Sequence, residues 1–392
     1  MRVLSPLILL VAAVPAFAQK PTTGPWDVKA IQSVEVKPEW GETVGNAREV
    51  YYPGEPFNGK PTRVFAYYAK PATGDGPFPA VLCVHGGGGK AFQAWAEHWA
   101  KRGYCALAMD LAGNGPKGRL PDGGPDQSDA TKFTDFNRKT AKDRWTYHAV
   151  AAVLRGHNLL RSFKEVDAKK VAVTGISWGG YLTCIVAGLD DRLVAAVPVY
   201  GCGFLHGNSV WKAGKFDKMT AEQRDRWVTN FDPSQYLPGV KCPSLFLNGT
   251  NDFAYPLDSY KKCYELVPGD KTLSVRVRLP HGHIWTHGEV DAFIDSHLKG
   301  GDPLTKLAAM SRDGEAVSAT VTGTVKLKEA NLYFATAEGP WQKREWKSVA
   351  ANLKGGKVSA KLPEDRPLVY YLGVTDERGL YVTTPHAIAL GE

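Results

Sequence analysis

From residue 61 the chain alternates between two kinds of apolar pattern. "TRVFAYYAKP" repeats with period two, the spacing of a half-buried strand. "PAVLCVHGGGG" is a continuous apolar run that ends in glycines, and "YCALAMDLAGNG" is a second such run. Between them, "FQAWAEHWAKRG" spaces its apolar residues as one face of a helix and stops at Gly103. A long helical pattern covers 143–163, and "VAVTGISWGGYLT" then reads as strand, tight turn and helix. Next come the strands "LVAAVPVYG" and "PSLFLNGTND", the helix "LDSYKKCYELV", the strand "LSVRVRLPHGH" and a last helix near "GEVDAFIDSHLKGG". Continuous apolar strands alternating with amphipathic helices predict an α/β fold, a doubly wound, mainly parallel sheet covered on both faces. After residue 303 the period changes. "AVSATVTGTVKLKEANLYFATAEG", "KVSAKLP" and "PLVYYLGVTDERGLYVTTP" are short alternating strands cut by Gly, Pro and Asp turns, which predict a small all-β sandwich over 304–392. Within the α/β unit, 203–237 interrupts the alternation as an insertion. Its "TAEQ" at 220–223 has capping-box spacing. A loop at 112–135 is rich in Gly, Pro and Asp.

The amino terminus is patterned differently. Arg2, an apolar run from Leu4 to Val14 and the small residues Ala16 and Ala18 form a secretory signal, with cleavage predicted after Ala18. The α/β unit then begins at residue 19, and the mature protein is expected in the periplasm or outside the cell. No later run is long enough to cross a membrane, so no membrane association is expected once the signal is removed. The net charge of +8 comes from scattered Lys and Arg without a basic block, which argues against a nucleic-acid partner. Six cysteines stand at 83, 105, 184, 202, 242 and 263. Export permits oxidation, but Cys83 and Cys105 sit inside apolar runs, so mostly buried thiols with at most one bridge are expected.

Chemistry concentrates in four short stretches. "GISWG" is G-x-S-x-G between a strand and a helix, a turn that lifts the Ser177 hydroxyl off the sheet edge. A serine hydroxyl needs a base, and the base needs an orienting acid. In this architecture they follow in the order acid, then histidine, each just past a strand. Asp252 closes "LFLNGTND" and fits the acid. "PHGH" offers His281 and His283. His283 is favoured as base because it lies later in the loop and follows a glycine, leaving His281 to support the loop or the pocket rim. An oxyanion needs two backbone donors. Trp178 supplies one, and "HGGGG" supplies the other at Gly87 or Gly88, with Gly87 preferred. Trp211 in the insertion and Trp285 in the histidine loop join His281 as candidate pocket residues. Two other patterns carry less. "GNGPKG" at 113–118 spells a dinucleotide fingerprint, but no helix follows to hold a pyrophosphate. His281, His283 and His287 lack metal-ligand spacing and a carboxylate partner, so neither metal nor cofactor is expected. Trp341 and Trp346 are candidates for stacking on a sugar or for packing a seam.

On "HGGGG", "GISWGG", "NGTND" and "PHGH", the stretch 60–300 resembles an α/β-hydrolase. More narrowly it is similar to exported bacterial acetylxylan esterases, cephalosporin-C deacetylases and dienelactone-hydrolase-like proteins. It departs from true dienelactone hydrolases, whose nucleophile is cysteine. The resemblance implies a serine esterase acting through an acyl-enzyme on a small-molecule or carbohydrate ester, with acetyl groups of plant polysaccharide as one candidate. Ser177, Asp252 and His283 would be catalytic, with Gly87 and Trp178 at the oxyanion. Prolyl-oligopeptidase-type enzymes share this core, and a serine aminopeptidase or dipeptidyl peptidase is the rival enzyme. The short stretch ahead of the first strand leaves no room for their propeller, and no acidic pair stands near the insertion to grip a free amino terminus. A non-catalytic carbohydrate-binding relative would have lost a triad member, and none is missing.

Overall fold

The structure is a computed structural model that describes residues 22–390; the signal-like segment falls outside the described residues. Its strands are β1 (Glu39–Val44), β2 (Ala47–Pro53), β3 (Arg63–Ala69), β4 (Phe78–Val84) and β5 (Cys105–Met109). The miniature hairpin β6 (Asn114–Gly115) and β7 (Gly118–Arg119) follows, then β8 (Val166–Ile176), β9 (Ala195–Val199), β10 (Ser244–Gly249) and β11 (Lys271–Arg276). The helices are α1 (Val28–Ser33), α2 (Gln93–Lys101), α3 (Asp129–Phe133), α4 (Trp145–Ser162), α5 (Trp178–Leu189), α6 (Ala221–Phe231), α7 (Leu257–Leu266) and α8 (Gly288–Leu298).

The central strands lie in the order β5-β4-β8-β9-β10-β11, all parallel, and β1-β2-β3 continue the sheet antiparallel from β5. Their continuous apolar runs follow from burial on both faces. On β4, Ala80, Leu82 and Val84 face the layer of α4, α5 and α7, whereas Val81 and Cys83 face α2 and α8. The strands β1 and β2 precede the first strand expected from the sequence. The strand β1 is the open edge of the sheet and has no buried residue, whereas β2 is paired on both sides and buries Ala47, Val50 and Tyr52. "GNGPKG" becomes the hairpin β6-β7, with no helix behind it. All six cysteines are buried free thiols.

Residues beyond 303 form β12 (Lys306–Leu307), β13 (Ser311–Asp313), β14 (Ala316–Thr322), β15 (Leu327–Thr336), β16 (Lys347–Ala350), β17 (Asn352–Lys354), β18 (Lys357–Lys361), β19 (Leu368–Asp376), β20 (Tyr381–Thr383) and β21 (Ala387–Ala389). The strand β20 pairs antiparallel with β11, so the main sheet runs on through β20-β19-β15-β16. A second sheet, β12-β14-β18-β17, packs on it through Val317, Ala319 and Val358 against Leu332, Tyr370 and Leu372. Trp341 lies in the seam with Leu257 and Val275 of the α/β unit, under the Arg344 guanidinium at 3.7 Å. Trp346 packs on Tyr371.

Candidate active site

The parallel strands point their carboxyl ends the same way, and the chemistry-bearing loops all leave from that edge. Ser177 occupies the single position between β8 and α5, at φ 55° and ψ −121°. A non-glycine residue seldom adopts such a backbone, and here the neighbours enforce it. The Ser177 N–H donates to Val199 O at 2.9 Å, and its carbonyl accepts from Tyr181 N. A β-carbon on Gly179 would lie 1.9 Å from Val84 O, and one on Gly175 would lie 2.3 Å from Gly179 O. The two glycines of the pentapeptide therefore let α5 start in contact with β4.

The strands β10 and β11 are adjacent, with Gly249 level with Arg276, so the loops that follow them meet. Asp252 is buried at the first loop. Its Oδ1 accepts from the N–H groups of Ala254 and Tyr255 at 2.9 and 2.8 Å, and its Oδ2 meets His281 Nδ1 at 2.7 Å. His281 Nε2 lies 2.9 Å from Ser177 Oγ. The His281 ring is enclosed by Tyr200 at 4.5 Å, Phe253 at 4.7 Å and Tyr255 at 6.3 Å, the last stacked with its plane nearly parallel.

His281, and not His283, therefore lies between Asp252 and Ser177 Oγ, which corrects the placement expected from the sequence. The loop after β11 runs beside the loop after β10, with Arg278 N donating to Thr250 Oγ1 and Leu279 lying against Gly249, so the first histidine arrives beside the acid. Gly282 then turns the chain away, and Tyr200 Oη holds that turn through the carbonyls of Gly282 and Ile284 at 2.5 and 3.2 Å. His283 ends beyond the serine, against Phe92 at 5.0 Å, with Nε2 2.7 Å from where a β-carbon on Gly89 would stand. Partial burial, and secondarily the neighbouring His281, lower the His283 pKa from its usual 6.5. Asp252 and the rings of Tyr200 and Phe253 fix His281, contacts that the glycine before His283 does not supply.

The glycine loop after β4 passes over the elbow. A β-carbon on Gly87 would meet the Trp178 ring at 2.8 Å. Neither the Gly87 N–H nor the Trp178 N–H donates to an acceptor among the described residues, whereas Gly88 N is used by Gln127 Oε1 at 3.0 Å and Gly89 N by Gly86 O. His85, fully buried, anchors the loop. Its Nδ1 lies 2.7 Å from Gly86 O, and its Nε2 accepts from Leu111 N at 2.8 Å, which fixes the neutral tautomer; burial lowers its pKa accordingly. The 112–135 loop contributes Gln127 and the buried Lys132. Lys132 lies between the rings of Trp145 and Trp178 at 5.3 and 5.0 Å and donates to Gln127 O, with its pKa pushed down to about 8 by burial.

One side of Ser177 is walled by aromatic rings. Trp211 lies 4.6 Å from Trp178 and 5.3 Å from Tyr255, whose hydroxyl is buried beside Ser177. Of the other insertion rings, Phe216, Trp227 and Phe231 are fully buried, whereas Phe204, like Trp211, is partly buried and packs against the core. Trp285 stacks on Phe92 and Trp95 and pins the histidine loop to α2. Among the described residues, no group of three or more His, Cys, Asp or Glu is placed to hold a metal ion. The sequence reading missed Tyr200, Tyr255, Phe253 and His85. Only His85, next to the glycines, carried a local signal; the others become site residues through tertiary contact.

A serine on a strand–helix elbow, with its acid and histidine following the next strands of a mainly parallel sheet, defines an α/β-hydrolase. Residues 31–214 match the family model described as acetyl xylan esterase (AXE1), and the chain resembles the esterases of that group. Acetyl esterase Axe7A of Xylanibacter ruminicola is 25% identical over 250 residues, 58% of this chain and 54% of that protein. The chain spans about half the length of the curated relatives it matches. Two solved structures share the fold. The acetyl xylan esterase from Paenibacillus sp. R4 has a TM-score of 0.56 and 21% identity, over 69% of this chain and 92% of that one. Acetyl xylan esterase 1 from Thermoanaerobacterium sp. JW/SL YS485 has a TM-score of 0.54 and 21% identity, over 71% and 96%.

Proposed function

We propose that this chain is an exported serine hydrolase of carboxylic esters. The observation that carries the reading is the unbroken line Asp252–His281–Ser177, at 2.7 and 2.9 Å, beside two unused backbone N–H groups. Ser177 Oγ attacks the acyl carbonyl while His281 Nε2 takes its proton. The Gly87 and Trp178 amides receive the oxyanion. Collapse of the tetrahedral intermediate breaks the bond to the alcohol, which leaves with the proton from His281. Water, deprotonated by the same imidazole, then releases the acid and restores Ser177. Asp252 holds the imidazole with Nδ1 protonated and balances its charge. The signal-like residues 1–18 support export. We assign residues 304–392 as an accessory β unit.

The wall of Trp178, Trp211 and Tyr255 favours a short acyl group. The opposite rim, with Phe253 55% exposed and Ile284 exposed, leaves room for a large alcohol. The names of the relatives, acetyl esterase and acetyl xylan esterase, point the same way: an acetyl ester of a carbohydrate. Aryl acetate, butyrate and octanoate, together with aminoacyl anilides, test this beside a Ser177→Ala control. Turnover should fall with chain length and vanish in the control. Faster hydrolysis of the anilides than of the esters would overturn the assignment in favour of a peptidase.

A further inference from the structure

The carboxamide of Asn251, the residue before Asp252, donates from Nδ2 to three carbonyls of the β unit: Trp341 at 3.3 Å, Gln342 at 3.1 Å and Arg344 at 2.8 Å. Its Oδ1 accepts from Thr250 Oγ1 at 2.7 Å, and Thr250 Oγ1 accepts from Arg278 N at 3.0 Å. Arg278, at φ 51°, opens the loop that carries His281. One hydrogen-bonded line thus joins a turn of the β unit to the acid loop and then to the base loop.

The far end of the base loop is gripped too. Glu289, 2% exposed at the start of α8, accepts from Tyr381 N at 2.9 Å and from Arg276. Val275 N donates to Thr383 Oγ1, beside the pairing of β11 with β20. The turn at 341–344 is itself fixed: Arg344 covers Trp341 and donates to Ala337 O at 2.7 Å, and Trp341 packs with Leu257 and Val275. An acid and a base carried on separate loops gain their relative position only from what spans them, and a misplacement of about 1 Å costs about a hundredfold in rate.

We propose that the β unit is a positioning element for the triad, with Asn251 and Thr250 as the positioning residues that fix Asp252 against His281. The proposal rests on the triad reading given above. It gives the β unit a role in turnover that requires no ligand. Neither residue touches the reacting atoms, so both act through Asp252 and His281.

The test uses the full chain. Asn251→Ala removes the clamp, and Thr250→Val cuts the link to the base loop while keeping the buried side-chain volume. Each should lower kcat by about ten- to a hundredfold with KM within about twofold, because only the transition-state geometry is disturbed. The downfield proton resonance of the hydrogen bond between His281 and Asp252 should shift or broaden in both. Val349→Ala, on the exposed face of β16, should change neither. If Asn251→Ala does not fold, Thr250→Val decides. Wild-type kcat with an unmoved resonance in Thr250→Val overturns the proposal. Failure of the triad reading shows separately, as turnover retained by Ser177→Ala, and leaves the resonance as an independent test of the clamp.

Discussion

The molecule contains two aspartate–histidine pairs of nearly equal geometry and opposite surroundings. Asp252 meets His281 Nδ1 at 2.7 Å, and Asp190 meets His157 Nδ1 at 2.8 Å. The second pair is sealed. Both side chains are 0% exposed, and Arg192 binds Asp190 from Nε and Nη2 at 2.7 and 2.6 Å. His157 Nε2 has no hydrogen-bond partner among the described residues. In the first pair the imidazole is 11% exposed, and Nε2 meets Ser177 Oγ on a strained elbow at the carboxyl edge of the sheet. A carboxylate–imidazole pair is thus not a functional signature. What the outer nitrogen faces decides its use, and a guanidinium on the carboxylate turns the pair into a structural tie.

Breaking the outer side of the first pair should give the largest effect. His281→Ala should lower kcat by about 10⁴-fold or more, because a triad member acts as part of a unit; steady-state kinetics on protein of wild-type melting temperature checks this. Removing the two acids should separate the pairs. Asp252→Asn should lower kcat by about 10⁴-fold with a small stability change, since it leaves the geometry but spoils the tautomer. Asp190→Asn should retain kcat per folded molecule and lose about 3–5 kcal/mol of stability by urea unfolding, because it strands Arg192 and His157 in the interior.

Acid sharpens the contrast further. Burial raises the Asp190 pKa, but the hydrogen bonds from Arg192 and His157 outweigh it and leave the carboxyl well below its usual 3.8. Burial lowers the His157 pKa from its usual 6.5. In both cases the unfolded chain binds protons first as pH falls. Stability should therefore decline below about pH 6.5 through His157, and again below about pH 3.8 through Asp190. Asp190→Asn should remove the second decline, as pH-dependent urea midpoints would show.

Much of this contrast is legible in the chain, and the part that is not has a physical cause. The parallel strands announce themselves because burial on both faces demands unbroken apolar runs, as in "PAVLCV" and "LVAAVPV". The elbow is legible because its glycines answer local contacts. The choice between His281 and His283 is not, since it depends on Tyr200 and Phe253 arriving from other strands. The join of β11 to β20 is also silent, because a single antiparallel pairing between distant segments leaves no periodicity behind. The edge strand β1 escapes for a related reason: its residues are exposed or half-buried, so no apolar stripe is required of it. In β2 the buried Ala47, Val50 and Tyr52 are interrupted by the charged Arg48 and Glu49, which breaks the pattern.

Smaller effects separate the site's lining from its chemistry. Trp211→Ala opens the wall against Trp178 and should raise octanoate relative to acetate turnover by about 1–3 kcal/mol in kcat/KM, the range of pocket discrimination for small groups. A wild-type ratio with a lower melting temperature would make Trp211 scaffold instead. His283→Ala should be the mildest, within a few-fold of wild type in kcat, because the ring stands at the mouth and accepts no proton from the serine.

The most direct measurement of the central claim is covalent. The wild type, His281→Ala and His283→Ala are exposed to a fluorophosphonate, and the adduct is mapped by mass spectrometry. With Ser177 as nucleophile and His281 as its base, a single adduct forms on Ser177, at comparable rates in the wild type and in His283→Ala, and is nearly abolished in His281→Ala. An adduct on another residue, or loss of labelling in His283→Ala with retention in His281→Ala, would contradict that assignment.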